Sequence, residues 1–174
     1  TKGLSRRSLL LTGAGALATP FIARPAFAAR SLRYGHNNEV ASVAGAQADW
    51  FAEALGESSG GDISVQVYPN SQLGKLQELA EAVSLGTIAF SHNTAGALGS
   101  LYQPFAALDT PYLYRDVDHL MQVTDVDSPV MQELNEGLIA AANVRVIYAH
   151  YFGRRNLTCN KAVMSPEALA STKL

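Results

Sequence analysis

Gly153-Arg154-Arg155-Asn156-Leu157-Thr158 carries the most specific chemistry in the chain. Read as a strand, it puts Arg155, Leu157 and Cys159 on one side and Arg154, Asn156 and Thr158 on the other. Arg155 then shares its face with apolar residues and points inward. A desolvated guanidinium needs an anionic partner, and its planar fork suits a carboxylate held by two parallel hydrogen bonds. That partner is either a bound solute or an acid elsewhere in the fold. Cys159, on the same parity, is expected to be a small buried core residue.

A second group of polar residues stands where strands should end. His36-Asn37 follows a first strand, Pro69-Asn70 a second and His92-Asn93-Thr94 a third. In an open parallel sheet, ligands bind beyond the carboxyl ends of the strands. The aromatic set Tyr102, Phe105, Tyr112 and Tyr114 is read either as pocket lining or as core and loop packing. Enzymatic signatures are lacking: there is no GxSxG, HExxH, P-loop or GxGxxG, and thus no cofactor motif. His36, His92, His119 and His150 show no metal-ligand spacing, and a single cysteine allows neither an intrachain disulfide nor a CxxC site.

The elements that would position these residues follow from periodicity. Ser31–Gly35 reads as a strand. Val43, Gln47, Trp50, Phe51 and Ala54 recur at helical spacing up to the breaker Ser58-Ser59-Gly60-Gly61. Ile63, Val65 and Val67 alternate with Ser64, Gln66 and Tyr68 as a strand. Leu76, Leu79, Ala80 and Val83 mark a second helix with Gly86 at its end, and Thr87–Ser91 a third strand. The order β-α-β-α-β predicts an α/β fold with a parallel sheet and right-handed crossovers. The stretch 95–115 reads as a loop. Helices are expected over Asp116–Val123, where Asp116 and Asp118 complement the helix dipole, and from Ser128-Pro129 onward. Val144–Tyr148 and Arg155–Cys159 read as strands, and Ser165-Pro166-Glu167 opens a last helix.

Length and composition fit a globular domain: 174 residues, 48% hydrophobic and 16% charged. The net charge of −2 hides an asymmetry. Lys2, Arg6, Arg7 and Arg24 precede residue 29 and no acid does; without them nine basic residues face 15 acids, a net of −6. A surface that acidic argues against nucleic acid as a partner. Residues 1–28 read as an export signal: the pair Arg6-Arg7, a mildly apolar run from Leu9 to Ala23 broken by Pro20, and the small-x-small site Ala26-Phe27-Ala28. The paired arginines resemble a twin-arginine signal; an ordinary secretory signal and an uncleaved anchor are the other readings. The first two place the mature chain in the periplasm.

The motifs, taken together, resemble a known family. Leu32-Arg33-Tyr34-Gly35-His36, Tyr68-Pro69-Asn70-Ser71-Gln72-Leu73-Gly74, Leu108 through Arg115 (LDTPYLYR), Gly153 through Thr158 and Ser165-Pro166-Glu167-Ala168-Leu169 occur in the order seen in solute-binding subunits of tripartite ATP-independent periplasmic (TRAP) transporters. The resemblance covers Ser31 to Leu174. It implies a periplasmic-binding-protein-like fold of two α/β lobes, closure around a small carboxylate-bearing organic acid, and delivery to membrane permease subunits driven by an ion gradient. It implies no catalysis and no cofactor. The arginine of the family's Gly-Phe-Arg-Asn-Leu-Thr pattern falls on Arg155, which favours carboxylate contact there, while the family's most characteristic carboxylate-binding arginine is expected on a strand beyond Leu174; Arg154 stands where an aromatic residue is usual, so both arginines are candidates. By the same likeness His36, Asn37, His92, Asn93 and Thr94 are candidate ligand contacts. Members run to roughly twice the mature length here, two lobes of ordinary domain size. The resemblance therefore implies a first lobe over 29–150 and the start of a second over 151–174. An exported enzyme domain and a sensory ligand-binding domain, with decisive residues further along a longer chain, are the rival readings.

Overall fold

A computed structural model describes residues 30–154, 158–159 and 162–170. The leader expectation for 1–28 and the inward arginine at 155 both lie outside those residues.

Three strands form a parallel sheet in the order β2-β1-β3: β1 Arg30–Gly35, β2 Ile63–Tyr68 and β3 Phe90–Ser91. The β1–β2 register runs from Arg30 opposite Ile63 to Gly35 opposite Tyr68, and Gly35 lies opposite Ser91 of β3. Helix α1 (Val43–Ser58) and helix α2 (Leu76–Ser84) make the two crossovers. The expected β-α-β-α-β order is therefore the observed one.

The local chemistry explains the element ends. Ser42 caps α1, its Oγ accepting from the Gly45 N–H at 3.1 Å. Helix α2 ends in a Schellman motif: Gly86, at φ +70°, donates to Val83 O, and Thr87 donates to Ala82 O, both at 2.9 Å. That turn, and the Ile88 N–H also directed at Ala82 O, consume the start of the expected 87–91 strand, so only Phe90–Ser91 pairs as β3.

Helix α1 packs differently from its apolar spacing. Val43 and Trp50 are 76% and 70% exposed, while Ala44, Gly45 and Ala48 are buried. Small residues allow a close approach: a Cβ on Gly45 would sit 2.4 Å from the Val40 carbonyl oxygen. Phe51 of this helix meets Tyr34 and Phe90 edge-on, with ring centroids 5.8 and 5.0 Å apart, and Tyr34 meets Phe90 tilted at 6.2 Å.

The stretch 95–115 is not simply a loop. It holds α3 (Ala95–Leu98), capped by the Thr94 hydroxyl, and a 3-10 helix (Gln103–Asp109) with Pro104 in its first turn. Helix α4 spans Val117–Thr124 with Asp116 as its N-cap, and α5 spans Pro129–Ala142 with Ser128 as its cap. A short α6 covers Pro166–Ala170. Ala80, Leu98, Phe105, Met131, Leu138 and Val144 form the buried cluster between α2, the 3-10 helix and α5. Of the aromatic set, Phe105 belongs to this core and Tyr102 packs against it, whereas Tyr112 is fully exposed.

Two strand expectations are corrected. Val144–Tyr148 carries no strand ladder; the Val146 backbone pairs instead with the Asn135 side chain. Thr158 and Cys159, the described part of 155–159, are not in a strand either, and Cys159 is exposed rather than buried.

Candidate functional site

A cavity of about 1350 Å³ opens along β1, β3 and the segment 143–154. Its floor is apolar, with Leu98, Phe105 and Met131 shared with the core. Its polar wall lies at the carboxyl end of β3, where His92, Asn93 and Thr94 meet Asn37 from the loop after β1 and His150 and Arg154 from the opposite segment.

The loop after β1 is fastened from below by the Tyr68–Gly74 motif. Asn70 N–H donates to Asn38 O at 3.0 Å and Ser71 N–H to His36 O at 3.1 Å. Both residues take the left-handed conformation, at φ 55° and 59°, which Asn tolerates better than most residues. The string YPNSQLG thus positions a cavity loop without lining the cavity. The LDTPYLYR string acts similarly on α3: Asp109 Oδ2 accepts from the Gly96 N–H at 2.7 Å, and the Tyr114 hydroxyl donates to Leu108 O at 2.9 Å.

The expected site residues divide by role. His92 lines the cavity, half-buried. Thr94 lines it while its Oγ1 accepts from the Ala97 N–H at 3.2 Å. Asn93 reaches the wall, but its side chain is engaged internally: Nδ2 donates to Leu76 O at 2.9 Å and Oδ1 accepts from the Thr94 N–H at 3.1 Å. Asn37 is exposed on the wall. His36, 1% exposed, stands behind the wall and does not line it. Arg154 is exposed at the edge of the cavity. Arg155 lies outside the described residues.

Three further residues complete the wall. Tyr148, His150 and Phe152 share one parity, and their rings follow each other 5.9 and 6.1 Å apart. His150 meets His92 edge-on at 5.0 Å. The same-parity aromatic pattern was the available sequence signal, but the absence of metal spacing among the histidines hid it. Burial, then the nearby His150 and His36, push the His92 imidazole down to about 4. Burial also lowers His150. His36 is lowered by burial, against the Asp49 carboxylate and a contact with the Asn38 backbone that act the other way. At neutral pH these rings are uncharged. Burial, and then a side-chain hydrogen bond to Tyr148, raise the Tyr34 phenol well above its usual range. Among the described residues, no group of three or more His, Cys, Asp or Glu side chains is placed to hold a metal ion.

A parallel α/β sheet with a roomy cavity along it, whose polar and aromatic wall lies at the carboxyl end of β3, defines a small-molecule-binding domain. Residues 34–174 match the family of bacterial extracellular solute-binding proteins, family 7, and the chain belongs to that family. It is similar to the sialic acid-binding periplasmic protein SiaP of Vibrio cholerae, with 29% identity over 84% of this chain and 45% of that protein. It is also similar to the C4-dicarboxylate-binding periplasmic protein DctP of Rhodobacter capsulatus, with 33% identity over 74% of this chain and 39% of that protein. Among solved structures it resembles a TRAP periplasmic solute-binding protein of Roseobacter denitrificans with bound L-galactonate: TM-score 0.62, 27% identity, 67% of this chain and 38% of that one. The corresponding protein of Sulfurospirillum deleyianum, with bound succinate, matches with a TM-score of 0.58 and 30% identity over 64% and 36% of the two chains. The chain spans less than half the length of each of these relatives. No helix among the described residues is long and apolar enough to cross a membrane.

Proposed function

We propose that the chain forms the first lobe of a periplasmic solute-binding protein that captures a small carboxylate-bearing solute for a TRAP transporter and catalyses no reaction. The observation that carries this reading is the cavity along β1 and β3, whose polar wall of Asn37, His92, Thr94 and Arg154 lies toward the carboxyl ends of those strands. Family membership over residues 34–174 supports it, as do relatives whose ligands include succinate and L-galactonate.

The mechanism is physical. The solute carboxylate meets Arg155 and Arg154 near the strand-end loops. Closure of a second lobe then removes water, which strengthens each charge-assisted hydrogen bond. Closure is favoured only as far as the solute binds the closed form better than the open one. The division into a first lobe over 29–150 and a crossing segment over 151–174 is part of the same reading, as is hand-over to membrane permease subunits.

Calorimetric titration with succinate, L-galactonate and D-galacturonate tests the reading. Saturable heat with at least one acid, weakened tenfold or more in Arg155→Ala, is the expected result; no heat with any acid would overturn it.

A further inference from the structure

We infer that His92 and His150, with His36 behind them, form a protonatable subsite of the cavity, so that a solute anion is captured there together with a proton. The inference rests on the solute-binding reading above and adds to it the chemistry of the second half of the site.

The backbone brings the three rings together. Gly35 and Ser91 are register partners, so the next residues, His36 and His92, leave the sheet side by side, and the His92 N–H donates to Gly35 O at 3.1 Å. His150 arrives from the segment after α5 and sets its ring 5.0 Å from that of His92, at 75°. Phe152 packs edge-on to His92 at 5.9 Å, and Tyr148 stacks on His150. Among the described residues, Nδ1 of His36, Nδ1 of His92 and Nε2 of His150 are buried without a hydrogen-bond partner. One such atom costs free energy; His92 and His150 line the cavity, so a bound solute can partner them, whereas His36 lies behind the wall.

The charges around the cluster decide what that partner is. On α1, Asp49 acts on His36. β1 contributes Tyr34, whose ring is 6.2 Å from His36, and burial keeps its phenol protonated. Along the cavity stand Arg30, Arg33, Arg145 and Arg154, with Asp109 and Tyr114 at the 3-10 helix end. Lys75, before α2, lies in the adjoining groove with Asn37. The leading influences on His92 and His150 include no carboxylate: burial disfavours the charge of both rings and, at His92, the other two histidines add to it. An incoming carboxylate supplies the missing negative charge. It raises the affinity of the rings for protons, and by linkage the protonated rings raise the affinity for the anion. A solute that offered only hydroxyl groups to neutral rings would bind without proton uptake.

The test is calorimetry of the chain with succinate and with L-galactonate at pH 6 in two buffers of different ionisation enthalpy, repeated from pH 5.5 to 8. Ring C–H resonances of the histidines are followed by NMR alongside. The expected result is uptake of about one proton per anion and affinity rising up to about tenfold per pH unit as the pH falls. The His92 and His150 titrations move to higher pH when the anion is present. The pH dependence flattens in His92→Gln and in His150→Gln, and the wild-type NMR titration gives the answer even where a variant fails to fold. An acid that binds with no proton uptake, and leaves the ring titrations unmoved, overturns the inference while leaving solute binding intact. Failure of both acids to bind at every pH counts against the binding reading itself and removes the inference with it.

Discussion

The buried Asn135 of α5 pairs with the backbone of Val146 in both directions. Its Nδ2 donates to Val146 O at 3.1 Å, and its Oδ1 accepts from the Val146 N–H at 2.8 Å. The side-chain amide thus replaces a neighbouring strand for the segment that carries Tyr148, His150 and Phe152 to the cavity wall. Replacing Asn135 by Leu leaves the Val146 N–H and C=O unpaired beside a side chain only 5% exposed. The expected loss is about 2–4 kcal/mol, read by chemical denaturation, with faster amide exchange at Val146. Unchanged exchange there would show that the clasp does not hold the segment.

Helix α5 leaves room for a ring. A Cβ on Gly137 would lie 2.3–2.5 Å from three atoms of the Tyr102 side chain, which packs on the core cluster. Gly137→Ala is expected to destabilise by about 1–3 kcal/mol through overpacking, despite alanine's better helix propensity. Adding Tyr102→Ala should make the two changes strongly non-additive in a double-mutant cycle. Simple additivity would separate the two residues.

Stability should fall in mild acid. The His92 imidazole titrates at about 4 in the folded protein against 6.5 ordinarily, because burial and the two neighbouring histidines oppose its charge. The unfolded chain therefore binds a proton first. Stability contributed by the neutral ring is complete above about pH 6.5 and declines as the pH falls toward 4. His36 and His150 are lowered in the same direction and add to the slope. Denaturation midpoints at pH 7.5, 6 and 4.5 measure it, and His92→Gln should shallow the decline. A profile that His92→Gln leaves unchanged would contradict the assignment.

The turn beneath the cavity loop constrains residue type. Ser71 sits at φ 59° while its N–H holds His36 O. Ser71→Val forces a β-branched residue into that region and should cost about 1–3 kcal/mol, whereas Ser71→Gly should be neutral or stabilising. Equal stability of the two variants would remove the strain argument.

Much of the fold was legible because long, periodic segments announce themselves. The alternation Ile63-Val65-Val67, the spacing Leu76-Leu79-Ala80-Val83 and the caps Asp116 and Ser128-Pro129 each met the expected element. Elements of four residues have no period to read, so α3 was hidden in an apparent loop. Val144–Tyr148 has strand-like residues, but its hydrogen bonds go to a side chain 11 positions upstream, which no local pattern encodes. Val43 and Trp50 misled because α1 buries Ala44, Gly45 and Ala48 instead, with Gly45 set against the Glu39–Val40 backbone. At the site, the strand-end rule found Asn37, His92, Asn93 and Thr94 on the cavity wall. It did not distinguish the buried His36 behind it, nor an Asn93 already committed to Leu76 and Thr94. His150 was missed because its partner, His92, lies 58 positions away in sequence and meets it only in the fold.

On the solute-binding reading, a small organic acid binds beyond the carboxyl ends of β1 and β3. Amide and imidazole chemical-shift mapping while succinate or L-galactonate is added tests it most directly. Saturable shifts concentrated at Asn37, His92, Thr94, His150 and Arg154 are the expected result. Saturable shifts clustered elsewhere on the surface, or none with either acid, would contradict it.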